Sequence, residues 1–231
     1  MLFLLSLTAA LSPAARELLS VARAGPIYVT SRNDIATLER LAVNVESEAP
    51  TDGWQEVAWN TPARWQLLAT TRTEGSELLQ LMSANPALGE FRLTQRWRED
   101  GGETFVDNVV TIARPEVADW RSAWLLLAPG GQSSLVLEHR ASVETSPASG
   151  RPRVSLELRK AVLDGTRRGS DTVEQIVGVP VPTVPIPDGL LRKALEEAAR
   201  FEISFQDEEL RVTRGVGAEP VLRVFARVEE G

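Results

Sequence analysis

The stretch FEISFQDEELRVTRG, Phe201 to Gly215, decides how this chain reads. Phe201, Ile203 and Phe205 alternate with polar residues, which is the period of a strand with one buried face. The run Gln206 to Glu209 then breaks the pattern with three acids, as a tight turn does, and alternation resumes at Leu210 and Val212. Two strands joined by a short polar turn make a hairpin. Continuing the alternation places Arg214 on the inward side with Leu210 and Val212, and turns Arg211 outward with Thr213. An arginine on an apolar strand face requires a reason, and the rest of the chain supplies candidates.

Upstream the same period recurs. Trp65, Leu67 and Ala69 share one face of a first strand. In FRLTQRWR, Phe91, Leu93, Gln95 and Trp97 face one way, while Arg92, Thr94, Arg96 and Arg98 face the other. Asp100-Gly101-Gly102 is a hairpin turn leading into ETFVDNVVTIA. SAWLLLA, SSLVLEHRASV and RVSLELRKAVL follow, the last with Val154, Leu156, Leu158 and Val162 on one face. VLRVFARV completes the final hairpin. Helical spacing appears at Ile35, Leu38, Leu41 and Val45, behind a Ser31 to Asp34 stretch that reads as a capping box. GSELLQLMSA reads as a short helix. The proline-rich run VPVPTVPIP leads to a further helix over DGLLRKALEEAAR, before the last hairpin. Eight to nine short strands in hairpin order predict a mainly β domain, a lipocalin-like antiparallel β-barrel with an N-terminal helix and a helix before the last hairpin. Gln95, Trp97, His139 and Trp65 among inward aliphatics point to a cavity more than to a solid aliphatic core.

Composition narrows the chemistry. The chain has 231 residues, a net charge of −7, no cysteine and one histidine, His139. Disulfides, thiolate nucleophiles and multi-histidine metal sites are therefore excluded. The acidic balance offers no footprint for nucleic acid. No metal, cofactor or nucleic-acid partner is expected. Residues 1–24 read as a removable targeting leader: MLFLLSLTAALS is apolar but too short to span a bilayer, and Ala22-Arg23-Ala24 resembles a cleavage site before Gly25. The plainer reading of that segment is an amphipathic helix that stays attached. Residues 25–231 form the expected domain.

Three stretches together resemble the plastid lipid-associated protein family, the plastid fibrillins. FQDEELRVTRG resembles its C-terminal pattern of an aromatic, an acidic turn, Leu-Arg and Arg-Gly. TPARWQLLATT resembles its entry strand, with Ala63 and Ala69 departing from the usual glycine and tyrosine. LTQRW with FVDNVV resembles its Gln and Asn-Val-Val strand pair, through Gln95, Asn108, Val109 and Val110. The resemblance implies a lipocalin-like barrel in the plastid, at thylakoids, plastoglobules or in the stroma, with a hydrophobic small molecule or lipid as partner and a lipid surface as a further one.

Candidate cavity residues are Phe91, Leu93, Gln95, Trp97, Val109, Leu137, His139, Leu156 and Phe201. His139, in line with Leu135, Leu137, Ala141 and Val143, would orient a ligand oxygen; the plainer reading is a satisfied interior histidine. Asp207, Glu208 and Glu209 read as a solvated turn rather than an acid–base pair. By analogy with lipocalins, Trp65 would pack beneath Arg211 or Arg214 to close one barrel end, Arg214 being favoured by the alternation. The expected function is non-catalytic binding or organisation of a prenylquinone, carotenoid or acyl lipid. A plastoglobule coat protein with a filled barrel is the competing class, and an enzyme acting on an enclosed lipid the third.

Overall fold

Between Asp100 and Glu103 the chain reverses through Gly101 and Gly102, whose φ angles are 59° and 81°. A two-residue turn with both φ positive matches the twist of the strands it joins, and glycine adopts it without a Cβ clash. That hairpin is the start of a meander. The computed structural model describes residues 11–48, 64–71, 90–113, 131–168, 199–216 and 220–228. They form helices α1 (Pro13–Ala24) and α2 (Arg32–Ser47), then strands β1 (Arg64–Thr70), β2 (Glu90–Asp100), β3 (Glu103–Ala113), β4 (Gly131–Thr145), β5 (Pro152–Arg168), β6 (Arg200–Gln206), β7 (Leu210–Gly215) and β8 (Leu222–Val228). Each strand pairs antiparallel with the next and β8 returns to β1, so the eight close into a barrel in sequence order. This is the lipocalin-like barrel expected. The expected helices over Gly75–Ala84 and before the last hairpin, the SAWLLLA strand and the proline-rich connector lie outside the described residues, save that Arg200 opens β6.

The barrel carries two apolar cores, one on each side of its wall. Inside, Trp65, Leu67, Trp97, Val106, Val154, Phe201, Ile203 and Phe225 pack together. Outside, the opposite faces of β7 and β8 present Leu210, Val212, Leu222, Val224 and Ala226 to α1 and α2. The helices answer with Ala15, Leu18, Leu19 and Ala22 from α1, and Leu38, Leu41, Ala42 and Val45 from α2, all buried. The 3.6-residue period read over Ile35 to Val45 is thus the face α2 lays on the barrel wall.

This second core corrects the phase assigned to the last hairpin. Phe205 belongs to the outer core, because the β6–β7 register slips between Ile203 and Phe205 and turns it across the wall. Phe201 and Ile203 stay inside. Leu210 and Val212 face outward, so Arg211 and Thr213 face in, the reverse of the expectation. A similar slip between Leu67 and Ala69 keeps Trp65 and Leu67 inside and sends Ala69 to the outer core. Bulges of this kind insert one residue and swap the sides that follow.

Helix capping also differs from the expectation. The Ser31 side chain makes no capping bond, and Ile35 N donates to the Ser31 carbonyl oxygen instead. The capped helix is α1, where Ser12 Oγ accepts from Ala15 N at 3.1 Å ahead of Pro13. Pro13 at the first helical position loses nothing, since its missing N–H would be unpaired there anyway. α1 falls within the segment read above as a leader, and it lies in the outer core.

Where β1 parts from β2, another segment fills in. The β1–β2 ladder is confined to Arg64, Trp65 and Gln66. Beyond it Thr70 N donates to Ile27 O at 2.7 Å and Val29 N donates to Thr70 O at 2.9 Å. Tyr28 thereby reaches Phe91 on β2, with ring centroids 6.4 Å apart.

Candidate functional site

The barrel interior is sealed at one end by a stack of three long side chains. The guanidinium carbon of Arg211 lies 4.4 Å from the Trp65 ring centre and 5.0 Å from that of Trp97. A guanidinium over an indole face contributes about 0.5–2 kcal/mol, more as water is removed. Arg211 is fully buried. Its Nε donates to Gln206 Oε1 at 2.6 Å and its Nη1 to Gln95 Oε1 at 3.4 Å. Burial alone holds its pKa well below the usual arginine value.

From this plug an amide relay crosses the barrel floor. Trp97 Nε1 donates to Gln95 Oε1 at 3.3 Å, and Gln95 Nε2 donates to Asn108 Oδ1 at 3.2 Å. Asn108 Nδ2 lies 3.4 Å from His139 Nδ1, which is also 3.3 Å from the Val106 carbonyl oxygen. A proton on Nδ1 satisfies Val106 and a lone pair satisfies Asn108, so the two contacts compete for one ring nitrogen. Desolvation lowers the His139 pKa and outweighs hydrogen bonds to the Val106 and Leu137 backbone and the Asp107 charge. His139 is therefore a buried, neutral part of the floor.

Above the floor the inward side chains change character. Trp97, Val106, Val154 and Phe201 are buried, but Phe91, Leu93, Leu137, Leu156 and Leu158 on the same inward faces remain half-exposed. Strand register sets this face: Leu93 lies opposite Val110, Asn108 opposite Leu137, and Ala141 opposite Leu156. Phe91, Leu93, Gln95, Trp97, Leu137, His139, Leu156 and Phe201 thus share the interior, Gln95, Trp97, His139 and Phe201 in the floor and the other four away from it.

Two expected residues fall elsewhere. Val109 lies on the outer face, opposite Thr94 and Val136. Its neighbours Asn108 and Val110 take the inward positions, as outward Asp107, held by Arg96 at 2.6 Å and Arg98 at 3.2 Å, confirms for the strand. Arg214 does not meet Trp65. It faces α2, where its Nε bonds Glu46 Oε1 at 2.6 Å and its Nη1 bonds Glu39 Oε2 at 2.8 Å. Burial would lower its pKa, but the two carboxylates prevail and raise it. Arg214 ties α2 to the barrel wall, and Arg211 alone closes the floor.

The candidate cavity read from the sequence left out Asn108, named only for the family resemblance, and Tyr28 and Arg223. Asn108 follows from the two-residue period once Val106 is placed inside. Tyr28 precedes the first expected helix, and no period marks it. Arg223 sits between two outward apolar residues, Leu222 and Val224, and its inward direction follows only once those are known to face the helices. Tyr28 is desolvated enough for its hydroxyl pKa to rise to about 12.

In the acidic turn, Asp207 Oδ1 accepts from the backbone N of Glu209 at 2.8 Å and of Leu210 at 2.7 Å. This is a side chain closing its own turn, the use a hairpin makes of aspartate. The site as a whole is an apolar-walled interior with a polar, cationic floor. No family model, curated protein or solved structure matches the chain.

Proposed function

We propose that the protein binds a hydrophobic small molecule, a prenylquinone, carotenoid or acyl lipid, in the half of its barrel above the sealed floor, and does so in a plastid without covalent chemistry. The observation that carries this reading is the half-exposed row Phe91, Leu93, Leu137, Leu156 and Leu158 above a sealed floor. Apolar area facing inward yet touched by water gains about 25 cal/mol per Å² when a ligand covers it. The closed barrel supports the binding class; the plastid setting rests on the resemblance of the Trp65, Gln95 to Val110 and Phe201 to Gly215 stretches. Exposed large apolar residues among the described ones, Val43, Val143 and Val216, lie on α2, β4 and the residue after β7. They lie on three separate elements, whereas a coat protein would draw on a broad exposed apolar surface.

Native mass spectrometry of the purified protein, with extraction of its lipids, tests the reading. A co-purifying hydrophobic molecule, displaced by decyl-plastoquinone, is the expected result. A matched pair of variants locates it: Leu137→Asn should weaken binding about 10-fold or more, as expected for a polar group placed in an apolar pocket, and Val109→Asn on the outer face should not. Repeated recovery of an empty, folded protein that takes up no such probe would overturn the proposal. Immunoblots of fractionated plastids test the compartment.

A further inference from the structure

Among the described residues, the interior guanidinium of Arg223 has no partner. Arg223 pairs across the sheet with Thr213 on β7 and Thr70 on β1, and shares the inward face of β8 with Phe225. Phe225 belongs to the sealed floor, so Arg223 stands one inward step above it, on the Thr70 side. Among the described residues no hydrogen bond or ion pair reaches its guanidinium. Its pKa is pushed down to about 10 by desolvation alone, with no opposing carboxylate. Yet its side chain keeps some contact with water. Beside it, Thr213 is buried to 1% exposure and its Oγ1 has no hydrogen-bond partner.

A largely desolvated cation beside a buried hydroxyl, both without partners, is unusual, because each gives up hydration that no protein group replaces. Both can donate to the same kind of group. Arg211 shows the contrast: it is stacked between two indoles and bonded to two amides, so its charge is accommodated within the chain. Arg223 has the fork geometry that receives a carboxylate through two parallel N–H bonds. A single unpaired guanidinium matches a monoanion. The apolar row above it matches a long hydrocarbon tail.

We propose that Arg223 is the head-group anchor of the barrel, binding a long-chain carboxylate whose two oxygens take its guanidinium and the Thr213 hydroxyl. This rests on the hydrophobic-ligand reading above and narrows it from neutral lipids to an amphipathic acid. The tail lies against Leu93, Leu137 and Leu156, and the head reaches the floor. An acid would enter carboxylate-first, the reverse of a ligand held at the rim.

The test uses cis-parinaric acid, its methyl ester and decyl-plastoquinone on the whole chain, with fluorescence titration. The acid should bind about 10- to 100-fold more tightly than the ester, the range of a charged hydrogen-bonded pair. Arg223→Met should abolish that preference while leaving ester affinity unchanged, and should raise the melting temperature of the free protein. The rise matters, since a merely structural arginine would lower it on removal. Thr213→Val supplies a second variant, expected to reduce the preference in part. Equal binding of acid and ester, or a preference that survives Arg223→Met, would overturn the head-group assignment and leave the hydrophobic pocket standing. Binding of decyl-plastoquinone without the acid would do the same. Failure of all three probes to bind would overturn both.

Discussion

Arg211 stacks on Trp65 at 4.4 Å, inside a barrel whose helix-facing wall hides a second apolar core. The two residues come from the sixth-to-seventh hairpin and the first strand, and their meeting closes one end. Trp65 is fixed by packing with Phe225 and Leu67, and Arg211 by Gln206 and Gln95.

A double-mutant cycle should measure this pair directly. Trp65→Ala removes a large buried side chain and should cost about 3–5 kcal/mol. Arg211→Lys keeps the charge but loses the planar stack and the two-amide fork, and should cost about 2 kcal/mol. The coupling between them should be about 0.5–2 kcal/mol in urea unfolding. Additivity of the two losses would mean that the stack carries no energy of its own.

Arg214 should behave differently from Arg211 despite its three-residue distance. With Glu46 at 2.6 Å it holds α2 to β7 in a half-buried ion pair. Arg214→Ala should lower stability by about 1–3 kcal/mol, the range for charged hydrogen bonds, and leave probe binding inside the barrel unchanged. Hydrogen exchange should rise in α2 first. A fall in ligand affinity with α2 still protected would show that Arg214 reaches the site after all.

Helix α1 supplies Leu18 and Leu19 to the outer core. A chain shortened to begin at Gly25 should lose about 3–6 kcal/mol from those two side chains alone. Calorimetry of the full and shortened chains measures it. An unchanged melting temperature would fit a segment that leaves the mature protein, as the leader reading expects.

Stability should fall as the solution is acidified through the ordinary histidine range. Desolvation lowers the His139 pKa in the fold, so the unfolded chain binds the proton more readily, and below about pH 6.5 protonation favours unfolding. His139→Gln should flatten the slope of unfolding free energy between about pH 7 and pH 5. A slope identical to that of the unaltered chain would place the titration elsewhere.

Much of the fold was legible in the residues. Asp100-Gly101-Gly102 marked a hairpin because only glycine takes two positive φ angles cheaply, and the structure turns there. The face Phe91, Leu93, Gln95 and Trp97 was right because β2 runs without a bulge against β3 from Glu90 to Asp100. Val109 went to the wrong side for a local reason. Asn108-Val109-Val110 has two adjacent valines, and a period of two cannot say which is inside until Val106 is placed.

By itself the sequence determined the strand period, the turn positions and the one long helical face, since these depend on local sterics and neighbouring side chains. Only the tertiary structure decided which apolar face of β7 and β8 is the interior. Both faces of those strands are covered, one by the barrel lumen and one by α1 and α2, so hydrophobic alternation carries no sign of direction. The bulges at Ile203/Phe205 and Leu67/Ala69 then exchange sides within a strand. That is why Arg211, read as outward, closes the floor against Trp65 and Trp97, while Arg214, read as its better alternative, holds a helix on the outside.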